Sequence, residues 1–305
     1  MKRRVMQVVQ SKRLARINTR KREVEQRLTH ALSVPEISTA QERYINMRFD
    51  AAKGADESEV SAALENYRNA LTKHGYSESD FEYTPLCPIC EDKGVVNGKL
   101  CKCVWKEFIR ALKAECDIER KAPFTFADCD LDTVNNATQR NTLEQLYGFM
   151  QKYAAQLPLV HNLNIVLSGG VGSGKTCLAS AVARAAADRG KSCLFMSAYE
   201  FNGAMLACHT SPISERNARM HDIITADLLV IDDLGTEPFL KNVTEEYLLL
   251  ILEERHNAHL CTIITTNLNS EQLLTRYHER IYSRLSHKRN SMFFVIDGDD
   301  LRHNL

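Results

Sequence analysis

Residues 169 to 176 read Gly169-Gly170-Val171-Gly172-Ser173-Gly174-Lys175-Thr176, a full match to the pattern G-x-x-x-x-G-K-[ST]. Glycines at these positions let backbone N–H groups close around phosphates. The lysine reaches the β- and γ-phosphates, and the Thr176 hydroxyl is placed to ligate magnesium at a positive helix N-terminus. The motif fixes nucleotide binding. A second set of groups begins with the apolar run Leu228-Leu229-Val230-Ile231, which ends in Asp232 and Asp233, 57 residues beyond Lys175 when counted to Asp232. One carboxylate at a strand end holds magnesium, and the next orients and polarises a water for in-line attack on a γ-phosphate. Asp232 is assigned to the metal and Asp233 to the water. The run Cys261-Thr262-Ile263-Ile264-Thr265-Thr266 ends at Asn267, whose amide can sense a γ-phosphate or position that water. Arg280 and Arg284 stand four residues apart, on one face of an expected helix. Either arginine can pair with Glu279 or solvent, or serve a neighbouring subunit as an arginine finger.

Four thiols form a third set. Cys87-Pro88-Ile89-Cys90 is followed by Cys101-Lys102-Cys103, with Gly94, Asn97 and Gly98 in between to return the chain through a hairpin. Four thiolates in so short a span match the ligand count of a closed structural zinc site, with buried thiols or a redox pair as the other reading. Cys116, Cys129, Cys177, Cys193, Cys208 and Cys261 are expected to be isolated and to pack as small hydrophobes.

The surrounding pattern must position these groups. Short apolar runs at 163–168, 192–197, 227–232, 261–266 and 292–296 alternate with helical stretches, the signature of a parallel sheet covered by helices. Thr176 to Arg189 carries Leu178, Val182 and Ala186 at helical spacing before Gly190, and Leu143, Leu146, Met150 and Tyr153 form the stripe of an earlier helix. The fold class is therefore α/β: a five-stranded parallel P-loop sheet with helices on both faces, plus a small, mainly helical, zinc-binding N-terminal domain. The boundary is placed near residue 120, giving domains 1–120 and 121–305. In the first, Leu14, Ile17, Val24 and Leu28 suggest an amphipathic helix. Ala55-Asp56-Glu57-Ser58 opens a second, with Val60, Leu64, Tyr67 and Leu71 as its stripe before His74-Gly75 ends it.

Composition narrows the class. Lys plus Arg and Asp plus Glu both number 39, so no global basic field argues for nucleic acid. Residues 1 to 30 are the exception, with ten Lys/Arg against two acids: a nucleic-acid arm or a solvated helix face. No signal-peptide pattern and no apolar run of about 18 residues is present, so the expectation is a cytoplasmic protein with no membrane contact. In that compartment the ten cysteines are not a disulfide framework.

With these elements in order, the chain from about Ala122 to Leu305 resembles the AAA+ ATPases of the DnaC/DnaI helicase-loader and IstB transposition-helper group. The likeness rests on Asn164-Ile165-Val166-Leu167-Ser168-Gly169 entering the loop, LLVIDDLG at 228–235, Thr265-Thr266-Asn267-Leu268 and ERIYSRL at 279–285. It implies ATP as the nucleotide, magnesium beside Thr176 and Asp232, hydrolysis through Asp232 and Asp233, Asn267 as sensor, and Arg280 or Arg284 as finger. The loop departs from the Gly-x-Pro-Gly-Thr common in the group, which leaves backbone phosphate binding intact. No N-K-x-D guanine-reading motif follows. The cysteine module looks like the zinc-binding, helicase-engaging part of DnaI-like and phage DnaC-like loaders, and the sequence runs only 21 residues past Arg284, through a last strand at 292–296, so the expectation is that the C-terminal helical lid is lacking, as in those loaders. The resemblance further implies a helical insertion within Ala198 to Thr225 tied to single-stranded DNA, with Arg216, Arg219 and Lys241 as basic candidates. The expected function is loading of a DnaB-type hexameric helicase onto single-stranded DNA by a ring or spiral of this protein. The alternatives are an IstB-like helper of transposition, a small-molecule kinase on the same P-loop, and a zinc-bearing adaptor with a degenerate ATPase.

Overall fold

Val9, Arg13 and Ile17 recur every fourth residue and line one buried face of α1 (Lys2–Leu32), whereas Leu14, expected on the buried stripe, is exposed. A stripe drawn from apolar residues alone passes over Arg13. Its guanidinium is buried because cysteine sulfurs and a carboxylate receive it. The computed structural model describes residues 1–53, 56–132, 134–157, 164–287 and 290–301; Ala55 and Leu163, read above as helix and strand positions, lie outside them.

Contacts group the chain into two units, Gln7–Trp105 and Lys106–Leu305 with Met1–Met6. In the first unit α1 is followed by α2 (Pro35–Ala51), a helix absent from the sequence reading. Pro35 opens it, where a missing N–H costs nothing. It packs on α3 (Glu57–Lys73), which Asp56 caps through the Ser58 N–H at 3.0 Å. Their small core is Ala31, Ile37, Tyr67, Ala70 and Leu71, with Tyr44 stacked on Tyr67 at 6.2 Å between ring centroids. Strands β1 (Val95–Val96) and β2 (Lys99–Leu100) then pair antiparallel around Asn97 and Gly98, both at positive φ as a tight hairpin turn demands.

The second unit takes up most of α4 (Lys102–Glu115) and all of α5 (Ile118–Lys121). Ile118 is fully buried and α5 packs on β4 (Cys193–Ser197) and α7 (Lys175–Asp188), so this segment, assigned to the first domain in the sequence reading, groups with the sheet. Then come α6 (Ala137–Gln156), β3 (Asn164–Gly169), α7, β4, α8 (Ala198–His209), α9 (Ile213–Thr225), β5 (Leu228–Leu234), α10 (Thr244–Asn257), β6 (Cys261–Thr266), α11 (Ser270–Ser286) and β7 (Ser291–Ile296). The sheet order is β4-β5-β6-β3-β7, all parallel, as the alternating apolar runs predict. Leu143, Leu146, Met150 and Tyr153 all point inward from α6. Two helices, α8 and α9, fill the stretch between β4 and β5.

Arg255 is fully buried, donating to the carbonyls of Ile223, Ile224, Ala226 and Cys261 and to Thr262 Oγ1. It collects the carbonyls at the end of α9 and ties them to the start of β6. Arg255→Met should cost on the order of 3–5 kcal/mol, because those buried acceptors lose their donor together. Thermal unfolding measures it, and a change under 1 kcal/mol would show that the carbonyls find other partners.

Candidate functional site

The phosphate loop lies between the end of β3 and the start of α7, as its sequence context requires. Gly174 takes φ 97° and leads directly into the helix, leaving the first N–H groups of α7 facing the loop. Lys175 is buried, and its ammonium donates to Gly169 O at 3.0 Å, Gly170 O at 2.6 Å and Ser173 Oγ at 3.3 Å. The loop carbonyls thus hold the lysine inside the turn that phosphates would fill.

Asp232, on β5, accepts from Thr176 Oγ1 at 3.0 Å and from Thr265 Oγ1 at 2.7 Å. Thr265, on β6, also accepts the Asp233 N–H at 2.8 Å. One hydroxyl therefore bridges the two acidic positions, a role the sequence reading misses although Thr265 lies two residues before Asn267. Asp233 itself sits at φ 56°, a left-handed conformation within β5 where the β5–β6 register shifts between Ile231 and Leu234. Burial raises the Asp232 carboxyl above its usual range; the Asp233 charge adds to this, and the Thr265 and Thr176 hydrogen bonds and the Lys175 charge oppose it. A divalent cation beside Thr176 and Asp232 would relieve that cost, so the donor set fits magnesium.

A cavity of about 350 Å³ opens over the loop, lined by Val171 through Leu178, Asp233 and Asn267, and also by Phe124, Leu131, Leu143 and Leu301. Arg280 and Arg284 are not among its lining residues. They follow His278, whose φ of 56° kinks α11. Arg284 pairs with Glu253 at 2.9 Å, and Arg280 is exposed with no ion pair among the described residues. Arg216 is committed to the carbonyls of Ser211 and His209, and Arg219 pairs with Glu215.

Cys129 and Cys177, expected to be isolated, have their sulfurs bonded, with Cα atoms 6.3 Å apart. The fold brings the connector before α6 against the first turn of α7, a tertiary contact between residues 48 apart in sequence that spacing does not reveal. Cys116, Cys193, Cys208 and Cys261 are buried thiols.

In the other unit the sulfurs of Cys87, Cys90, Cys101 and Cys103 lie within 4.8 Å of one another, with Cys87 to Cys101 at 3.9 Å and Cys90 to Cys103 at 3.7 Å. Four sulfurs about 2.3 Å from a tetrahedral zinc stand about 3.8 Å apart, so the cluster has the right size for that ion. Arg13 donates to Cys103 Sγ at 3.0 Å and to Cys90 Sγ at 3.5 Å. Asp92 accepts the N–H groups of Leu86 and Cys87 and the Tyr83 hydroxyl, and faces Arg13 at 3.4 Å. The sequence offered a signal for Asp92, an acid two residues past Cys90, but none for Arg13. Burial works against ionisation at Cys90 and Cys103 alike; the Gly94 N–H and the other thiols lower Cys90, while the same thiols raise Cys103, so the cluster holds its first negative charge at Cys90.

The family described as IstB-like ATP binding protein matches residues 124–300. Among curated proteins, the replicative helicase loader DnaC of Escherichia coli (strain K12) is 25% identical over 164 residues, which cover 54% of this chain and 64% of that protein. The loader DnaC of Buchnera aphidicola subsp. Acyrthosiphon pisum (strain APS) is 26% identical over 183 residues, 58% of this chain and 70% of that protein. Among solved structures, AMPPCP-bound DnaA from Aquifex aeolicus is similar with a TM-score of 0.47 and 21% identity, covering 59% of this chain and 52% of that one.

Proposed function

The chain belongs to the IstB-like ATP binding protein family, and from that premise we propose that it is an ATPase that loads a hexameric replicative helicase onto single-stranded DNA. The observation that carries the hydrolytic part is the joining of Thr176 to Asp232 at 3.0 Å beside the cavity that also receives Asp233 and Asn267. The DnaC relatives support the loading role, and the region matched is 64% of the length of the Escherichia coli protein.

In this reading the loop N–H groups and Lys175 hold the β- and γ-phosphates, and Thr176 and Asp232 hold magnesium, which supplies charge neutralisation when bound. Asp233 accepts a proton from the attacking water and Asn267 orients it. Thr265 holds the Asp232 carboxylate and the Asp233 backbone in place. Arg280 and Arg284 lie outside the cavity lining of their own chain, so the finger comes from a neighbouring copy. The four cysteines hold zinc as a closed structural site, which shapes the unit that grips the helicase.

Arg280→Ala and Arg284→Ala should both bind ATP with unchanged affinity, while one of them loses roughly 10³-fold in assembled-state hydrolysis, the range a finger supplies. Full activity in both variants removes the finger assignment. The loading role is tested by mixing the protein with the replicative helicase and ATP and looking for a co-eluting complex. No complex under any nucleotide condition, together with capture of a transposase, favours the transposition-helper reading instead.

A further inference from the structure

Beyond β7 the backbone turns back across the phosphate loop. Gln139, buried on α6, donates its amide N–H to Asp299 O at 3.0 Å and accepts the Asp299 N–H at 2.9 Å. Gly298 stands against the same glutamine at φ 149°, and a Cβ there would lie 2.2 Å from the Gln139 amide carbon. Three residues later the Leu301 N–H donates to Gly172 O at 3.0 Å. A Cβ on Gly172 would meet the Asp300 carboxylate at 1.7 Å, and one on Gly169 would meet Ile296 O at 2.2 Å. The segment from Ile296 to Leu301 is thus held at both ends, on α6 and on the loop itself, at close approaches that require glycine.

The sheet order says which side of the nucleotide this segment serves. The loop follows β3; Asp232, Asp233 and Asn267 come from β5 and β6 on one side of it, and the segment comes from β7 on the other. Leu301 and Leu143 flank Gly174, each within ordinary contact of where its Cβ would stand, and Phe124 and Leu131 line the same cavity. A nucleoside triphosphate whose γ-phosphate faces the carboxylates would direct its base away from them, toward the part of the cavity that Phe124, Leu131, Leu143 and Leu301 line together with Asp128 and Asp130.

We propose that residues 298–301 form a strap that completes the nucleotide site, with Leu301 as a wall against the base and Gln139 as the clamp that keeps the strap in place. The inference rests on the nucleotide-binding reading of the loop and deepens it. Burial of an apolar base face against Leu301 adds affinity that inorganic polyphosphate cannot gain.

The test is calorimetric titration of the wild-type chain, Leu301→Ser, Gln139→Ala and Lys175→Ala with ATP and with inorganic tripolyphosphate, each in magnesium. Leu301→Ser, by removing the wall, and Gln139→Ala, by freeing the strap that carries it, should raise the Kd for ATP roughly 5- to 20-fold and leave tripolyphosphate within about twofold. Leu301 is half-buried near the end of the described chain, so its variant keeps the test open if Gln139→Ala lowers the melting temperature. Wild-type ATP affinity in Leu301→Ser overturns the inference, as does an equal loss for ATP and tripolyphosphate. A wild-type chain that binds neither ligand is a failure of the nucleotide reading and not of the strap, and Lys175→Ala should weaken both ligands together.

Discussion

Lys175→Ala should raise the Kd for ATP by roughly 10²- to 10⁴-fold, the loss expected when about two hydrogen bonds to charged phosphate, each worth about 1.5–3 kcal/mol, are removed. The ammonium is buried and enclosed by Gly169 O, Gly170 O and Ser173 Oγ. Its position is therefore set before phosphates arrive, and binding exchanges carbonyl partners for phosphate oxygens without dragging a solvated side chain into place. Alanine removes the charge and leaves those loop oxygens without a donor, so the loop also loses the group that holds it closed. Lys175→Arg should not rescue binding, because the guanidinium is planar and larger than the enclosure that takes a compact ammonium. The measurement is ATP titration by calorimetry, with thermal melting to verify that the sheet remains folded. Affinity within tenfold of wild type in Lys175→Ala would mean that the loop N–H groups carry phosphate binding alone.

What the sequence made legible was local. Asn164 to Thr176 is a strand, a loop and a helix start in consecutive residues, and Leu228 to Asp233 is a strand and its end, so periodicity and one motif suffice. The hairpin between Cys90 and Cys101 is likewise written in Asn97 and Gly98. The missing parts depend on residues far apart in the chain. Thr265 bridges Asp232 and Asp233 because β5 and β6 are neighbours, Cys177 meets Cys129 across 48 residues, and Gln139 holds Asp299 across 160. Arg13 was illegible for a different reason. A buried arginine contradicts the apolar stripe rule unless its partners are known, and those partners are the cysteine sulfurs and Asp92. No described helix is long and apolar enough to cross a membrane.

Removal of zinc should unfold the cysteine module while the sheet unit keeps its nucleotide site. The apolar cluster around Cys87, Cys90 and Cys101 adds little beyond Val96 and Cys103, and the hairpin beside it has strands of two residues each. Such a hairpin is not stable alone. On the proposed zinc reading, the bound metal would supply the folding free energy, which reaches apparent values of about 10–16 kcal/mol in small zinc domains. Arg13 and Asp92 make the dependence sharper. Without thiolates bound to a cation, a buried guanidinium faces sulfurs that compete for protons, and Asp92 loses the backbone N–H groups of Leu86 and Cys87 as the knuckle opens. The core of α2 and α3 does not include the cysteines, so those helices should persist. A strong chelator should then expose the segment from Tyr83 to Cys103 to protease, and Cys90→Ser with Cys101→Ser should take zinc content from about one per chain to near zero. Acidification should release the metal as well, since the ligands bind as thiolates and protons compete for them. Protease resistance and melting behaviour unchanged by chelation would mean that hydrogen bonds from Arg13 and Asp92 alone hold the knuckle, and the site would then be a thiol cluster without a structural ion.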